Sequence, residues 1–198
     1  GATAEVIDEL EREVIEIDAL VGELLASARL DFAALSPRPL DGIEVARRAL
    51  ERAGIPPEAL VVGAGASGGQ ARFDGDPTLV ARALANLLDN ARRHAGGVEL
   101  LRVTTRPGFV VFDVEDRGPG FPAQAEGPIE GPPIADASAR PEGQPRAERI
   151  DGVPRSGTSF LGLGLVLVRR IAHAHRGTLT VGNRAEGGAR ASIELAAS

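Results

Sequence analysis

Apolar residues along this chain change their period from segment to segment, and each period predicts an element. Over residues 2–35, Ile7, Leu10, Val14, Ile17, Val21, Leu24 and Ala28 recur in alternating steps of three and four. That is a heptad seam, which predicts one long helix packed along another helix, ended by the prolines of "SPRP" at 36–39. A second helix is predicted over 43–54, with Gly54 as its stop. Short strands follow in "ALVVGA" and "QARF", around a glycine-rich turn at 65–69. Residues 75–95 form a helix with a clear start, Asp76 as N-cap and Pro77 in the first turn. Its core face carries Val80, Leu84, Leu87, Leu88, Ala91 and Ala95. Residues 98–106 and 109–116 read as strands joined by a turn at Pro107 and Gly108. Residues 121–158 hold seven of the 14 prolines and five glycines without periodicity, which predicts a long mobile loop. The stretch "LGLGLVLVRRIAHAHRG" (161–177) then enters a helix, stopped by Gly177, and is followed by a closing hairpin of "TLTVGN" and "ARASIELA" around "RAEGG". Helices interleaved with antiparallel hairpins predict an α/β fold: a two-layer sandwich of one mixed sheet with helices on one face.

Composition narrows the function classes. Hydrophobic residues make up 43% of the 198, enough for a core, but aromatics only 3%, so Leu, Val, Ile and Ala must fill it. The net charge of -6 argues against a general nucleic-acid binder, which would carry a basic face. All 22 basic residues are Arg, which reads as coding bias. Without Cys there is no disulfide or thiolate metal site. The absence of Met points to an excised piece of a longer protein, or to a processed one. The best apolar run, "FLGLGLVLV", falls short of the roughly 20 residues that span a bilayer.

Three short stretches carry chemistry. In "NLLDNARRHA" (86–95), Asn86, Asn90 and Arg93 fall close together opposite the helix's core face. Asparagine is a poor helix former, so two of them one turn apart call for a reason. An amide oxygen is a neutral hard ligand suited to Mg²⁺ carrying phosphates, and the guanidinium adds a phosphate contact. A solvated helix face that happens to carry Asn is the plainer reading. "DRGPG" (116–120) follows a strand, so Asp116 would point a carboxylate beyond the strand end, suited to an exocyclic amine such as adenine N6. Gly118 and Gly120 let the backbone turn sharply or approach a ligand. An ordinary Asp-Gly turn would look the same. "GLGL" (162–165) directly precedes a helix whose free N–H groups would face an anion. A single G-x-G is weak, and Leu165, Val168, Ile171 and Ala172 read as core. His94 extends the Asn stripe, while His173 and His175 read as structural or solvated, with no metal spacing.

Taken in order, these stretches and the closing "GTLTV…GGARASIEL" resemble the ATP-binding catalytic domain of bacterial two-component sensor histidine kinases, of the GHKL superfamily. The resemblance covers residues 38–197, and "IDALVGELLASARLD" (17–31) looks like the end of the second helix of the dimerisation domain. It implies two parts: residues 1–36 as a partial dimerisation helix and 37–198 as a catalytic domain of the GHKL (Bergerat) type, with a lid near 121–158. It implies bound ATP and Mg²⁺, with Asn90 and Asn86 toward the metal and Arg93 and His94 beside the nucleotide. Asp116 would select adenine, with Gly118 and Gly120 completing that motif. Gly162, Leu163, Gly164 and Leu165 would close over the phosphates. The γ-phosphoryl group would pass to a histidine on a dimerisation helix, then to a response regulator receiver domain. The parent would be a homodimer anchored in the inner membrane, with this domain in the cytoplasm.

Two features depart from the family pattern. Residues 122–159 contain no Phe where members carry a Phe-rich box, and no His of this chain has the acidic and basic neighbours of the phosphoacceptor motif. The chain therefore reads as a phosphoryl donor without its acceptor, so no autophosphorylation is expected of it alone. Three rivals stand beside this reading. A hydrolytic GHKL ATPase would use a carboxylate at the position of Asn86. An anti-sigma-type serine kinase lacks the long heptad helix. A degenerate, non-catalytic scaffold is what the missing Phe box would favour.

Overall fold

The computed structural model describes residues 35–129 and 163–198. The expected N-terminal helix, most of the expected lid and Gly162 lie outside the described residues. Among the described residues there are eight strands and three α-helices: β1 (Arg38–Asp41), α1 (Gly42–Arg52), β2 (Leu60–Val62), β3 (Arg72–Gly75), α2 (Pro77–Ala95), β4 (Leu100–Arg106), β5 (Phe109–Glu115), β6 (Gly127–Pro128), α3 (Leu163–Ala174), β7 (Thr178–Asn183) and β8 (Ala189–Ala196). Six strands form one sheet in the order β2-β4-β5-β8-β7-β6, while β1 and β3 pair separately. β2 runs parallel to β4 and the other pairs are antiparallel, so the sheet is mixed, as the sequence predicts.

Strand alternation explains the two faces. Leu101 and Val103 of β4, Val110, Phe112 and Val114 of β5, and Ala191, Ile193 and Leu195 of β8 are buried together with the apolar residues of α1, α2 and α3. With so few aromatic residues, one edge-to-face pair, Phe73 on Phe112 with ring centres 5.9 Å apart, stands out in a core otherwise built of aliphatic side chains. The intervening strand positions carry charge. Arg190 pairs with Glu115 at 2.9 Å, Arg106 with Glu194, and Ser192 bonds Asp113. Among the described residues, no helix is long and apolar enough to cross a membrane.

Local capping sets the ends of α1 and α2 where the sequence places them. Asp41 accepts from Ile43 N and Glu44 N to start α1, and Gly54 beyond its end is left-handed, at φ +66°. Asp76 accepts from Thr78 N (2.9 Å) and Leu79 N (3.1 Å) ahead of Pro77, and Gly96 at φ +71° closes α2.

Four features differ from the sequence reading. β1 and β6 are strands where no strand is expected. Residues 121–129, assigned to the mobile loop, contain a helical turn at Ala123–Ala125 and the short strand β6 on the sheet edge, with Phe121 and Ile129 packed on the core. Among the described residues α3 runs from Leu163, so Gly164 and Leu165 lie within the helix rather than before it. The left-handed residue after α3 is Arg176 (φ +55°), not Gly177. Gly177 is needed for another reason: a Cβ there would sit 1.7 Å from the Glu194 carbonyl oxygen of β8.

Candidate functional site

α2 is the central helix of its layer, between α1 and α3. Its buried positions therefore cover more than one stripe. Val80, Leu84, Leu87, Leu88 and Ala91 are buried in the core as expected, while Ala95 at the end is only half-buried. Asn86 departs from the expectation of a solvent-side stripe. It is buried, and its Nδ2 donates to Gly164 O of α3 at 3.4 Å. A periodic pattern shows which face is apolar but not that a neighbouring helix covers a second one. Asn90, one turn on, is half-buried, and Arg93 and His94 are exposed. The stripe thus runs from a buried amide against α3 to a charged, open end.

The "DRGPG" loop meets that open end. Gly118 is pressed so closely on α2 that a Cβ would lie 2.7 Å from Ala95 Cβ and 3.1 Å from His94 O. Asp116 is 5% exposed, and its Oδ1 accepts from Gly118 N (2.8 Å) and Ala189 N (3.0 Å). Neither bond uses Oδ2. The carboxylate is oriented by backbone donors through Oδ1 alone. Gly120, at φ +82°, lies so near Asn183 that a Cβ would come within 2.3 Å of Asn183 Oδ1. Three stretches far apart in sequence thus share one locale around α2. Gly164 is half-buried beside Asn86, whereas Leu165, 4% exposed, belongs to the core, so any contact it makes with a ligand would be through its backbone. Of Leu163 only the backbone is described.

This arrangement has counterparts. A family model described as the histidine kinase-, DNA gyrase B- and HSP90-like ATPase matches residues 75–198. The chain belongs to this family. Among curated relatives, a probable sensor histidine kinase, TcrY, of Mycobacterium tuberculosis is 29% identical over 91% of this chain and 36% of its own length. The sensor protein KdpD of the same species is 30% identical over 98% of this chain and 22% of its own length. The chain therefore spans only a part of the relatives it matches. Two solved structures show the same fold. The Acinetobacter baumannii histidine kinase AdeS has a TM-score of 0.61 at 18% identity, over 96% of this chain and 83% of that one. Full-length ShkA, solved in complex with AMPPNP, also scores 0.61, at 23% identity over 100% of this chain and 40% of that one.

Within this ATPase fold the histidines separate by role. His175 is buried and structural: its Nδ1 donates to Ile171 O at 2.7 Å, and its Nε2 accepts from Asp76 N at 3.0 Å. It ties the end of α3 to the cap of α2. His173 is exposed. Among the described residues no group of three or more His, Cys, Asp or Glu could hold a metal. A divalent ion at the stripe would be shared between an amide oxygen and the phosphates of a ligand. That fits Mg²⁺, a hard cation that binds with few protein ligands. A cavity of about 730 Å³ lies elsewhere, between α1 and the far side of α2, lined by Val45, Ala49, Ala81, Ala85 and Leu88 with Arg side chains at its edge; none of the three stretches reaches it except through Leu88, Asp89 and Arg92.

Residues outside the motifs hold the loop in place. Arg184, its side chain 8% exposed, donates to Asp116 O at 2.8 Å and pairs with Glu115 at 3.2 Å and with Glu99. Arg117 pairs with Glu99 at 2.8 Å. The bond from Arg117 and then that from Arg184 pull the Glu99 carboxyl from 4.5 down to about 2. Nothing local in the sequence marks Glu99 or Arg184, since their contacts join positions 85 residues apart.

Proposed function

We propose that this chain binds Mg-ATP and donates the γ-phosphoryl group to a histidine on a dimerisation helix outside it, as the catalytic part of a two-component sensor kinase. The oriented Asp116 carboxylate carries the reading: a buried acid, fixed by two backbone N–H groups, beside a helix that ends in an Asn and Arg stripe. Asp116 Oδ2 accepts from the adenine amine. Asn90 and Asn86 turn their amides toward the metal, and Arg93 and His94 meet the nucleotide at the open end. Gly162, Leu163, Gly164 and Leu165 offer backbone to the phosphates. Mg²⁺, when bound, neutralises phosphate charge during the transfer. The residues of the chain supply position and charge rather than covalent chemistry. The acceptor histidine, the response regulator that would take the phosphoryl group from it, homodimerisation through the heptad seam and a membrane anchor in the parent all belong to this proposal. So does the division of the chain at residue 36.

The experiment is a titration of the protein with ATP and GTP, with and without Mg²⁺, followed by incubation with γ-labelled ATP and a separately supplied dimerisation helix bearing its histidine. Magnesium-dependent binding of ATP in preference to GTP, with label on the added helix, is the expected result. Failure to bind ATP would overturn it.

A further inference from the structure

Asn183 and Arg184 are neighbours at the end of β7 and belong to none of the three motifs, yet they grip both ends of the "DRGPG" loop. At the near end Arg184 Nη1 donates to the main-chain Asp116 O at 2.8 Å. At the far end the Asn183 amide pairs with one residue twice, Oδ1 accepting from Phe121 N at 2.6 Å and Nδ2 donating to Phe121 O at 2.8 Å. Nδ2 also donates to Glu126 Oε1 at 2.7 Å. The side chain thus copies the pairing of a neighbouring strand across a loop that has none.

We propose that Asn183 and Arg184 are positioning residues, a two-point clamp that holds the 116–121 loop so that Asp116 presents one carboxylate oxygen to the base of a bound adenine nucleotide. This rests on the nucleotide-site reading above.

The surroundings of Arg184 favour orientation as its role. Its guanidinium lies between the carboxylates of Glu99 and Glu115, whose side chains are 22% and 3% exposed. Removing such charges from water is costly, and a buried ion pair is weak ground for stability alone. What the two carboxylates do is fix a planar fork so that one N–H meets a single carbonyl, a geometry that an ammonium on a flexible stem does not reproduce. The turn between β7 and β8 packs on the same peptide: a Cβ on Gly188, at φ +95°, would fall 2.0 Å from Asp116 O. The next residue, Ala189, supplies one of the two N–H bonds to Asp116 Oδ1. Backbone, carbonyl and carboxylate of Asp116 are therefore all set from the β7–β8 hairpin.

The test pairs nucleotide titration with amide hydrogen exchange in the nucleotide-free protein, for the wild type, Arg184→Met, Arg184→Lys and Asn183→Ala. For Arg184→Met, ATP affinity falls about tenfold, on the scale of one hydrogen bond to a charged group, while GTP binding is unchanged, so the ATP preference shrinks by the same factor. Arg184→Lys recovers only part of it. The amides of Gly118 and Ala189 exchange faster in Arg184→Met, and that of Phe121 in Asn183→Ala. A preserved ATP preference in both Arg184→Met and Asn183→Ala would overturn the clamp, as would unchanged exchange at these amides. A wild type that binds no ATP would refute the nucleotide reading instead, and the exchange rates would still decide whether the loop is held from Asn183 and Arg184. Should Arg184→Met not fold, Asn183→Ala decides alone, through Phe121 exchange and the ATP preference.

Discussion

Asp116 Oδ1 accepts two backbone N–H groups, and in the proposed complex the adenine amine is a third donor, so every partner asks for an acceptor. An amide has only one oxygen. Asp116→Asn must therefore aim its NH₂ either at Gly118 N and Ala189 N or at adenine N6, donor against donor. The expected loss in ATP affinity is about 1–3 kcal/mol, roughly five- to 150-fold. GTP, which offers an oxygen at the same place, should gain relative to ATP. Competition titrations measure the ratio, and a variant with the wild-type preference would remove Asp116 from the base. Asn90→Ala should weaken Mg-ATP far more than metal-free ATP. Calorimetry showing equal losses would mean that Asn90 does not reach the metal.

At the scale of elements, the ends of α2 and α3 depend on one another. Asp76 caps α2 through its side chain while its own N–H donates to His175 Nε2, so the cap of one helix is fixed by the last turn of the next. His175→Ala leaves that N–H without its partner and opens a small cavity, for an expected loss of about 1–3 kcal/mol in chemical denaturation. Gly177→Ala would push a methyl group into the Glu194 carbonyl of β8 and should cost at least as much, about 1–3 kcal/mol or more by overpacking. Asn86 sits between the same two helices, which is why a residue marked by its chemistry is also partly structural.

Over the whole domain, Glu99 joins the start of β4 to the β7–β8 turn through Arg184, and to the "DRGPG" loop through Arg117. Its folded carboxyl titrates near 2 against 4.5 for a free one, so the folded state holds this charge more readily than the unfolded state. A lowered carboxylate adds stability that is complete above about pH 4.5 and is lost as pH falls toward 2. The unfolding midpoint of Glu99→Gln should lie below that of the wild type at pH 6, and the gap should narrow as pH drops from 4.5. A gap that is constant with pH would show that Glu99 contributes by packing alone. At the same scale, the chain incubated alone with Mg-ATP should not gain a base-stable, acid-labile phosphohistidine. His175 is locked by two hydrogen bonds, and His173 precedes it by two residues at the same end of α3. Label mapped to His94, His173 or His175 would refute the donor-half reading.

Features whose cause lies within a few residues were legible from the sequence by itself. The caps at Asp76 and Gly54, the β4–β5 and β7–β8 hairpins, and the apolar face of α2 all follow from neighbours in the chain. So did the family, because its motifs are short and ordered. Tertiary structure decided the rest. β1 is four residues with a proline in the middle, and it exists because β3, more than thirty residues on, pairs with it. β6 is two residues held on β7. Asn86 is buried because α2 is central and α3 covers a second face, which a periodicity taken one helix at a time does not show. Gly177 is a glycine because β8 passes against it, while the left-handed turn is taken by Arg176. The hold on Asp116 by Arg184 and Ala189 joins residues about seventy positions apart, and such a contact leaves no local period, spacing or composition to read.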